Sequence, residues 1–174
     1  HAVSKLSHIH FVSNDNAKKR LIQMGELDDH IFTIGSPDID IMMSKNLPSK
    51  EELRNYYTIP FEKYAILIFH PVTTELESLE KQTNSLITAA INSKKNYVII
   101  YPNNDPGSKI ILKEYNQLKN NNKFKIYPSL RFEYFLTLLK HADFIIGNSS
   151  AGITEAGIYG IPTIDVGSRQ KNRT

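Results

Sequence analysis

Short apolar runs alternate with amphipathic stretches along most of the chain. HIHFVS (His8 to Ser13) predicts a strand, and NDNAKKRLIQMGE predicts a helix. Asn14 or Asp15 can cap that helix, Ala17, Leu21 and Met24 share a face, and Gly25 ends it. IFTIGSP (Ile31 to Pro37) predicts a second strand. The stretch from Ser36 to Lys63 is more polar, carries three prolines, and predicts a linker containing a short helix.

Beyond the linker the rhythm becomes regular. YAILIF is a nearly continuous apolar run, the pattern of a strand buried on both faces of a parallel sheet. A helix follows, with Leu76, Leu79, Thr83, Leu86, Ala90 and Ile91 at helical spacing on one face. YVIIY (Tyr97 to Tyr101) predicts the next strand, Ser108 to Leu118 a helix, and FKIY a short strand. RFEYFLTLLKHA predicts a helix that aligns Phe132, Phe135, Leu136 and Leu139. DFIIG and PTIDVG then predict two strands, with GNSSAGITEAGIYGIP supplying the helix between them.

Alternation at this spacing implies right-handed βαβ crossovers and an α/β fold built on a Rossmann-like open parallel sheet. The first βαβ piece is too small to form a domain alone, and no helix follows the last strand. The expectation is a piece of a longer protein: 1–37 as the tail of an N-terminal Rossmann-like domain, 38–60 as a hinge, and 61–174 as a second domain lacking its end.

Composition narrows the function less than the pattern narrows the fold. Of 174 residues, 40% are hydrophobic, which is enough for a core. A net charge of +3 is too weak to argue for nucleic acid. The absence of cysteine removes disulfides, thiolate metal sites and cysteine nucleophiles, and is compatible with a reducing cytoplasm. Runs such as AILIF are far too short to span a bilayer, and no basic-then-apolar signal segment opens the chain. No His, Asp or Glu spacing resembles a metal site.

In open α/β sheets, ligands bind beyond the carboxyl ends of the strands. Five predicted strand ends deliver polar groups there: His70 with Thr73, Thr74 and Glu75; Asn103, Asn104 and Asp105; Ser129 with Leu130 and Arg131; Asn148, Ser149 and Ser150; and Ser168 with Arg169 and Gln170. Small residues at a helix start let backbone amides approach a phosphate. In GNSSAG, Ser149 and Ser150 supply hydroxyls as well, and Glu155, inside the predicted helix, can accept from a ribose diol. A single serine there would be read as a helix cap; the run with its Glu favours a phosphate and ribose cradle.

His70, at the end of a buried strand, can donate to a diphosphate or act as an acid near neutral pH. A solvent-edge histidine before a turn fits that position as well. His1, His8, His10, His30 and His141 are read as structural. Turn chemistry accounts for PNNDPGS unless Asn103 serves the strand-end site. Arg169 either pairs with a phosphate or belongs with the solvated cations of SRQKNRT.

Together, HAVSKLSHIHFVSN, IFTIGSPDID, FHPVTTE, YPNNDPGS and GNSSAGITEAGIYGIPTIDVGSRQKNR resemble the hydrolysing UDP-N-acetylglucosamine 2-epimerases of sialic and legionaminic acid synthesis. The resemblance implies a glycosyltransferase-B-like pair of Rossmann domains and conversion of UDP-N-acetylglucosamine to N-acetylmannosamine and UDP. The chemistry implied requires no metal or redox cofactor, and the expectations are a cytoplasmic enzyme that is a homo-oligomer as a full-length protein, with neither nucleic acid nor membrane as partner. By motif, the resemblance gives Ser149 and Ser150 the diphosphate, Glu155 the ribose hydroxyls and His70 the leaving group as the catalytic residue. Asn103 and Arg169 would line the same site, and the backbone near Leu130 would meet the uracil. The acids that the family places before HAVSK are absent, so this chain is expected to bind UDP without catalysing the reaction. A UDP-sugar transferase of the same architecture and a non-catalytic nucleotide-sugar module are the competing readings.

Overall fold

The structure, a computed structural model, describes residues 1–171. The last three residues of the expected cationic tail, 172–174, lie outside the described residues. The chain forms two compact units that divide between Lys45 and Asn46.

The first unit holds α1 (Ala2–Leu6), β1 (His10–Val12), α2 (Asp15–Gln23), β2 (Ile31–Thr33) and α3 (Pro37–Met42). β1 and β2 pair in parallel, with His10 opposite Ile31. The Asn14 side chain accepts from the Ala17 amide and caps α2, and Gly25, at φ +88°, follows its C-cap. His10 is buried and meets the Glu26 carboxylate at 3.3 Å.

The second unit begins with α4 (Lys50–Tyr57), so the stretch 38–60 contains two helices, one in each unit. A reciprocal capping box sets the start of α4: Ser49 accepts from the Glu52 amide, and Glu52 accepts from the Ser49 amide. Leu53 of α4 is completely buried, a burial that contributes about 2 kcal/mol. The remaining elements are β3 (Ala65–Ile68), α5 (Leu79–Asn92), β4 (Tyr97–Ile100), α6 (Ser108–Tyr115), β5 (Phe124–Tyr127), α7 (Phe132–Lys140), β6 (Ile145–Gly147), α8 (Glu155–Tyr159) and β7 (Thr163–Asp165).

These five strands form one parallel sheet in the order β5-β4-β3-β6-β7. Helices cover both faces, and side-chain alternation along β3 splits the core accordingly. Ile66 and Ile68 join Leu53 of α4, Leu138 and Leu139 of α7 and Ala156 of α8. Ala65 and Leu67, with Phe69 just beyond the strand, join Leu79, Leu86, Ile87 and Ala90 of α5 and Ile111 and Tyr115 of α6. That double burial is why the sequence of β3 reads as an unbroken apolar run.

Two local expectations shift. The buried face of α5 is Leu79, Thr83, Leu86, Ile87 and Ala90; Leu76 falls in a 3-10 turn before the helix and Ile91 is exposed. The helix expected over GNSSAGITEAGIYGIP is divided into a 3-10 turn at Ser150–Gly152 and the short α8. The Ser149 hydroxyl accepts from the Ala151 amide and closes the turn tightly. Gly152 then packs so close to Thr163 that a β-carbon would lie 2.7 Å from the threonine methyl. Glu155 therefore stands at the first position of α8 rather than inside a longer helix.

From β3 the chain steps outward to β4 and β5, then returns through α7 to β6 on the other side of β3. The boundary between β3 and β6 is the switch point of the sheet, where open α/β folds form a crevice.

Candidate functional site

A cavity of about 450 Å³ opens at that crevice, a size suited to a small-molecule ligand. It takes residues from beyond the carboxyl ends of β3, β4, β5 and β6: His70, Asn103, Leu130, Ser149, Ser150 and Glu155 all line it. These residues lie up to 85 positions apart in the chain, from His70 to Glu155, and converge only through the sheet.

His70 follows β3 by two residues and is held at both ends. Its backbone N–H donates to Asn148 Oδ1 at 2.7 Å, and its carbonyl accepts from Asn148 Nδ2 at 2.8 Å. Its ring Nδ1 accepts from the Asn103 amide at 3.0 Å. Because Nδ1 is an acceptor, the proton of the neutral ring sits on Nε2. Burial, reinforced by the nearby Arg169 charge, pushes the His70 pKa down to about 4. The expected acid at neutral pH is thus corrected: the imidazole is neutral there and offers a hydrogen bond through Nε2–H. Among the described residues, no protein group pairs with Nε2.

Asn103 contributes its amide to His70, and its side chain donates to Asp105. The loop that carries Leu130 is fixed from α4, where the Tyr57 hydroxyl accepts from the Arg131 amide at 3.0 Å and the Tyr57 carbonyl accepts from the Tyr127 hydroxyl at 2.6 Å. Tyr57 and Tyr134 meet edge to face, and the Arg131 guanidinium lies over the Tyr56 ring.

On the opposite wall the amides of Ser149 and Ser150 donate to no protein group among the described residues. The Glu155 carboxylate accepts from the Thr154 hydroxyl, and Glu155 lines the cavity. Arg169 is the one candidate that does not line the cavity. Its guanidinium donates to the Asn148 carbonyl at 3.1 Å, and it acts on His70 by charge.

Four further groups lie at or behind the cavity: two read as core in the sequence, and two are named there only among the strand-end polar residues. Phe132 and Phe135 line the cavity, though their helical spacing reads as core. Asn148 and Gln170 are buried polar residues, and Gln170 Nε2 donates to the Asn148 carbonyl at 2.7 Å. A turn-like GNSS offers no local signal of such bonds. Gly147 carries one, since glycine at a strand end marks close backbone approach. Its φ is +134°, and a β-carbon there would lie 1.9 Å from the Ile68 carbonyl oxygen.

No group of three or more His, Cys, Asp or Glu side chains is arranged to hold a metal among the described residues. Likewise, no helix among them is long and apolar enough to cross a membrane.

Comparison with known proteins gives the site a context. The sequence model of the family described as UDP-N-acetylglucosamine 2-epimerase matches residues 1–174. The UDP-N-acetylglucosamine 2-epimerase of Neisseria meningitidis is 54% identical over 173 residues, covering 99% of this chain and 46% of the relative. The hydrolysing UDP-N,N'-diacetylbacillosamine 2-epimerase of Legionella pneumophila is 36% identical over 174 residues, again with 99% and 46% covered. This chain therefore spans about half the length of these curated relatives. Among solved structures, the UDP-N-acetylglucosamine 2-epimerase of Methanocaldococcus jannaschii, in complex with UDP-GlcNAc and UDP, superposes with a TM-score of 0.65 at 25% identity. That match covers 92% of this chain and 46% of the other.

Proposed function

The chain belongs to the UDP-N-acetylglucosamine 2-epimerase family, and from that premise we propose that its cavity is the UDP-binding half of a hydrolysing 2-epimerase. The observation that carries this reading is the convergence of His70, Asn103, Leu130, Ser149, Ser150 and Glu155 on one cavity at the sheet switch point. The lining divides chemically as a nucleoside diphosphate would require. Ile100, Leu130, Phe132 and Phe135 offer apolar surface for a base, while unpaired amides, hydroxyls and one carboxylate serve phosphates and ribose.

In this assignment the amides and hydroxyls of Ser149 and Ser150 hold the diphosphate, Glu155 accepts from the ribose diol, and the backbone at Leu130 meets the uracil. His70, neutral with its proton on Nε2, donates to the diphosphate as it departs. In the elimination, a base takes the proton from carbon 2 while the anomeric C–O bond breaks and its electron pair leaves with UDP. Water then adds across the resulting double bond, hydroxyl to carbon 1 and proton to carbon 2 from the opposite side, giving N-acetylmannosamine. Donors aimed at the leaving phosphates stabilise the charge that develops there. Glu155 is the only acid among the described residues that line the cavity, so the groups that move the carbon-2 proton are assigned to the remainder of a full-length enzyme.

Calorimetric titration of UDP into the chain tests the reading. Saturable binding is expected, absent for GDP and weakened by Glu155→Ala. A folded chain that binds neither nucleotide, alone or joined to the rest of a full-length enzyme, overturns it.

A further inference from the structure

Asn148 is 1% exposed, yet every polar group it has is engaged. Its amide donates to the Ile68 carbonyl at 3.1 Å. Its side chain takes both the N–H and the C=O of His70, at 2.7 and 2.8 Å. Its carbonyl accepts from Arg169 at 3.1 Å and from Gln170 at 2.7 Å. The ladder between β3 and β6 ends with Ile68 opposite Gly147. Beyond that point the β6 chain turns away into Ser149, and the Asn148 carboxamide, a mimic of a peptide group, continues the pairing along β3. It does so at His70, which lines the cavity.

Asn148 does not line the cavity itself; it lies against a second cavity on the opposite face of the sheet. We propose that Asn148 is the positioning residue of the nucleotide site, fixing the His70 backbone through its carboxamide so that the His70 ring addresses the diphosphate, and tying Arg169 to the same point through its carbonyl. This rests on the UDP reading above for the identity of the anion, but not for the placement of His70. Only a carboxamide fits. Aspartate retains the acceptor for His70 N–H but sets a carboxylate oxygen against the His70 carbonyl, whereas alanine leaves both His70 backbone groups without a partner in the interior. The proximity of Arg169, which helps to lower the His70 pKa, is what a shared anchor for the two residues produces.

The test compares the chain with Asn148→Asp, Asn148→Ala and Leu118→Ala, the last a core change that lowers stability away from the site. Nitrogen-15 spectra of the His70 ring give a readout that does not need ligand. In the parent chain, Nδ1 is expected as acceptor and Nε2 as protonated. In the Asn148 variants, a mixture of tautomers and a His70 titration moved back toward 6.5 are expected, with Leu118→Ala unchanged. UDP affinity is expected to fall about 10- to 100-fold in the Asn148 variants, the range typical of groups that orient a functional side chain from behind. Folded Asn148 variants with unchanged His70 spectra overturn the proposal, as does UDP affinity within about twofold of the parent. If the parent itself binds no UDP, the UDP reading fails, and the His70 spectra still decide the positioning. Should neither variant fold, side-chain amide exchange in the parent decides. Protection of Asn148 Nδ2 by about 100-fold or more supports the anchor, and exchange at the open rate sinks it.

Discussion

Two cavities of nearly equal size, about 450 and 490 Å³, lie on opposite faces of the sheet at the ends of β3 and β6. The first takes Ile68 and His70, the second Phe69, Ile146 and Asn148. In the second, several polar side chains pair with one another. The Glu75 carboxylate accepts from the Ser168 hydroxyl and, at 3.1 Å, from Gln82 Nε2, which also donates to Ser78 Oγ at 2.9 Å. In the first, His70 Nε2 and the amides of Ser149 and Ser150 find no protein partner among the described residues. Size does not separate the two; the residues that converge on them do. Residues from beyond four strand ends converge on the first, whereas the second is lined mainly by α5 and the segment that follows β7.

The severest way to break this comparison is to remove the partition between the cavities. Gly147 brings β6 against β3 at φ +134°, with a hypothetical β-carbon 1.9 Å from the Ile68 carbonyl. Gly147→Ala combines a strained backbone with overpacking and is expected to cost about 3 kcal/mol or more. Gly157 in α8 has nothing within 4 Å of such a carbon. Gly157→Ala is therefore expected to be neutral or to stabilise by about 0.5–1 kcal/mol. Urea midpoints of the two variants check both, and equal midpoints would mean that the partition tolerates movement.

A change in the ligand wall comes next. Glu155→Ala removes a charged acceptor from the first cavity and is expected to weaken UDP binding by about 1.5–3 kcal/mol, or roughly 10- to 100-fold. The fold should hold, because Glu155 is a partly exposed residue at the start of a short helix. Calorimetry and a thermal melt separate the two effects.

His70 sharpens the comparison through pH. Its pKa falls from 6.5 to about 4 in the folded protein because burial and then the Arg169 charge disfavour the imidazolium. Between those values the unfolded chain binds the proton and the folded chain does not, so stability rises with pH across that window and is lost as pH falls from 6.5 toward 4. Urea midpoints between pH 7.5 and pH 4 are expected to show this slope, and His70→Gln is expected to flatten it. A parent slope no steeper than that of the variant would show that the ring is not held in its neutral form.

What the sequence made legible follows the same division. The parallel sheet was readable because double burial writes an apolar run into β3 and β4; the strand-end rule then pointed to His70, Asn103, Leu130, Asn148, Ser149, Ser150 and Arg169 among others, and the GNSSAG run with its following helix to Glu155. The order of the strands leaves no such local mark. Asn148 is among the strand-end residues, but its pairing escaped because its partner His70 is 78 positions away, and nothing in GNSS distinguishes an asparagine in a turn from one that pairs with a strand. Phe132 and Phe135 escaped because one helical face serves both core and cavity wall. The break before α8 escaped because its cause, the approach of Gly152 to Thr163, lies in a contact between separate elements.

The mildest test falls on the second cavity. Hydrogen bonds from Ser168 and then from Gln82 hold the Glu75 carboxyl below its usual range, so whatever stability it contributes is present above the unfolded carboxylate pKa and fades as pH falls. Glu75→Gln keeps an oxygen acceptor for Ser168 and gives up the charge. Its melting temperature at pH 7 should drop slightly, and the drop should shrink on acidification, once the parent carboxylate is protonated too. UDP affinity should stay within about twofold, because Glu75 pairs within the protein and turns no unused group toward the first cavity. A loss comparable to that of Glu155→Ala would mean that the loop carrying Ser168 and Arg169 transmits changes across the sheet. The two cavities would then be one coupled device rather than a binding wall and a structural one.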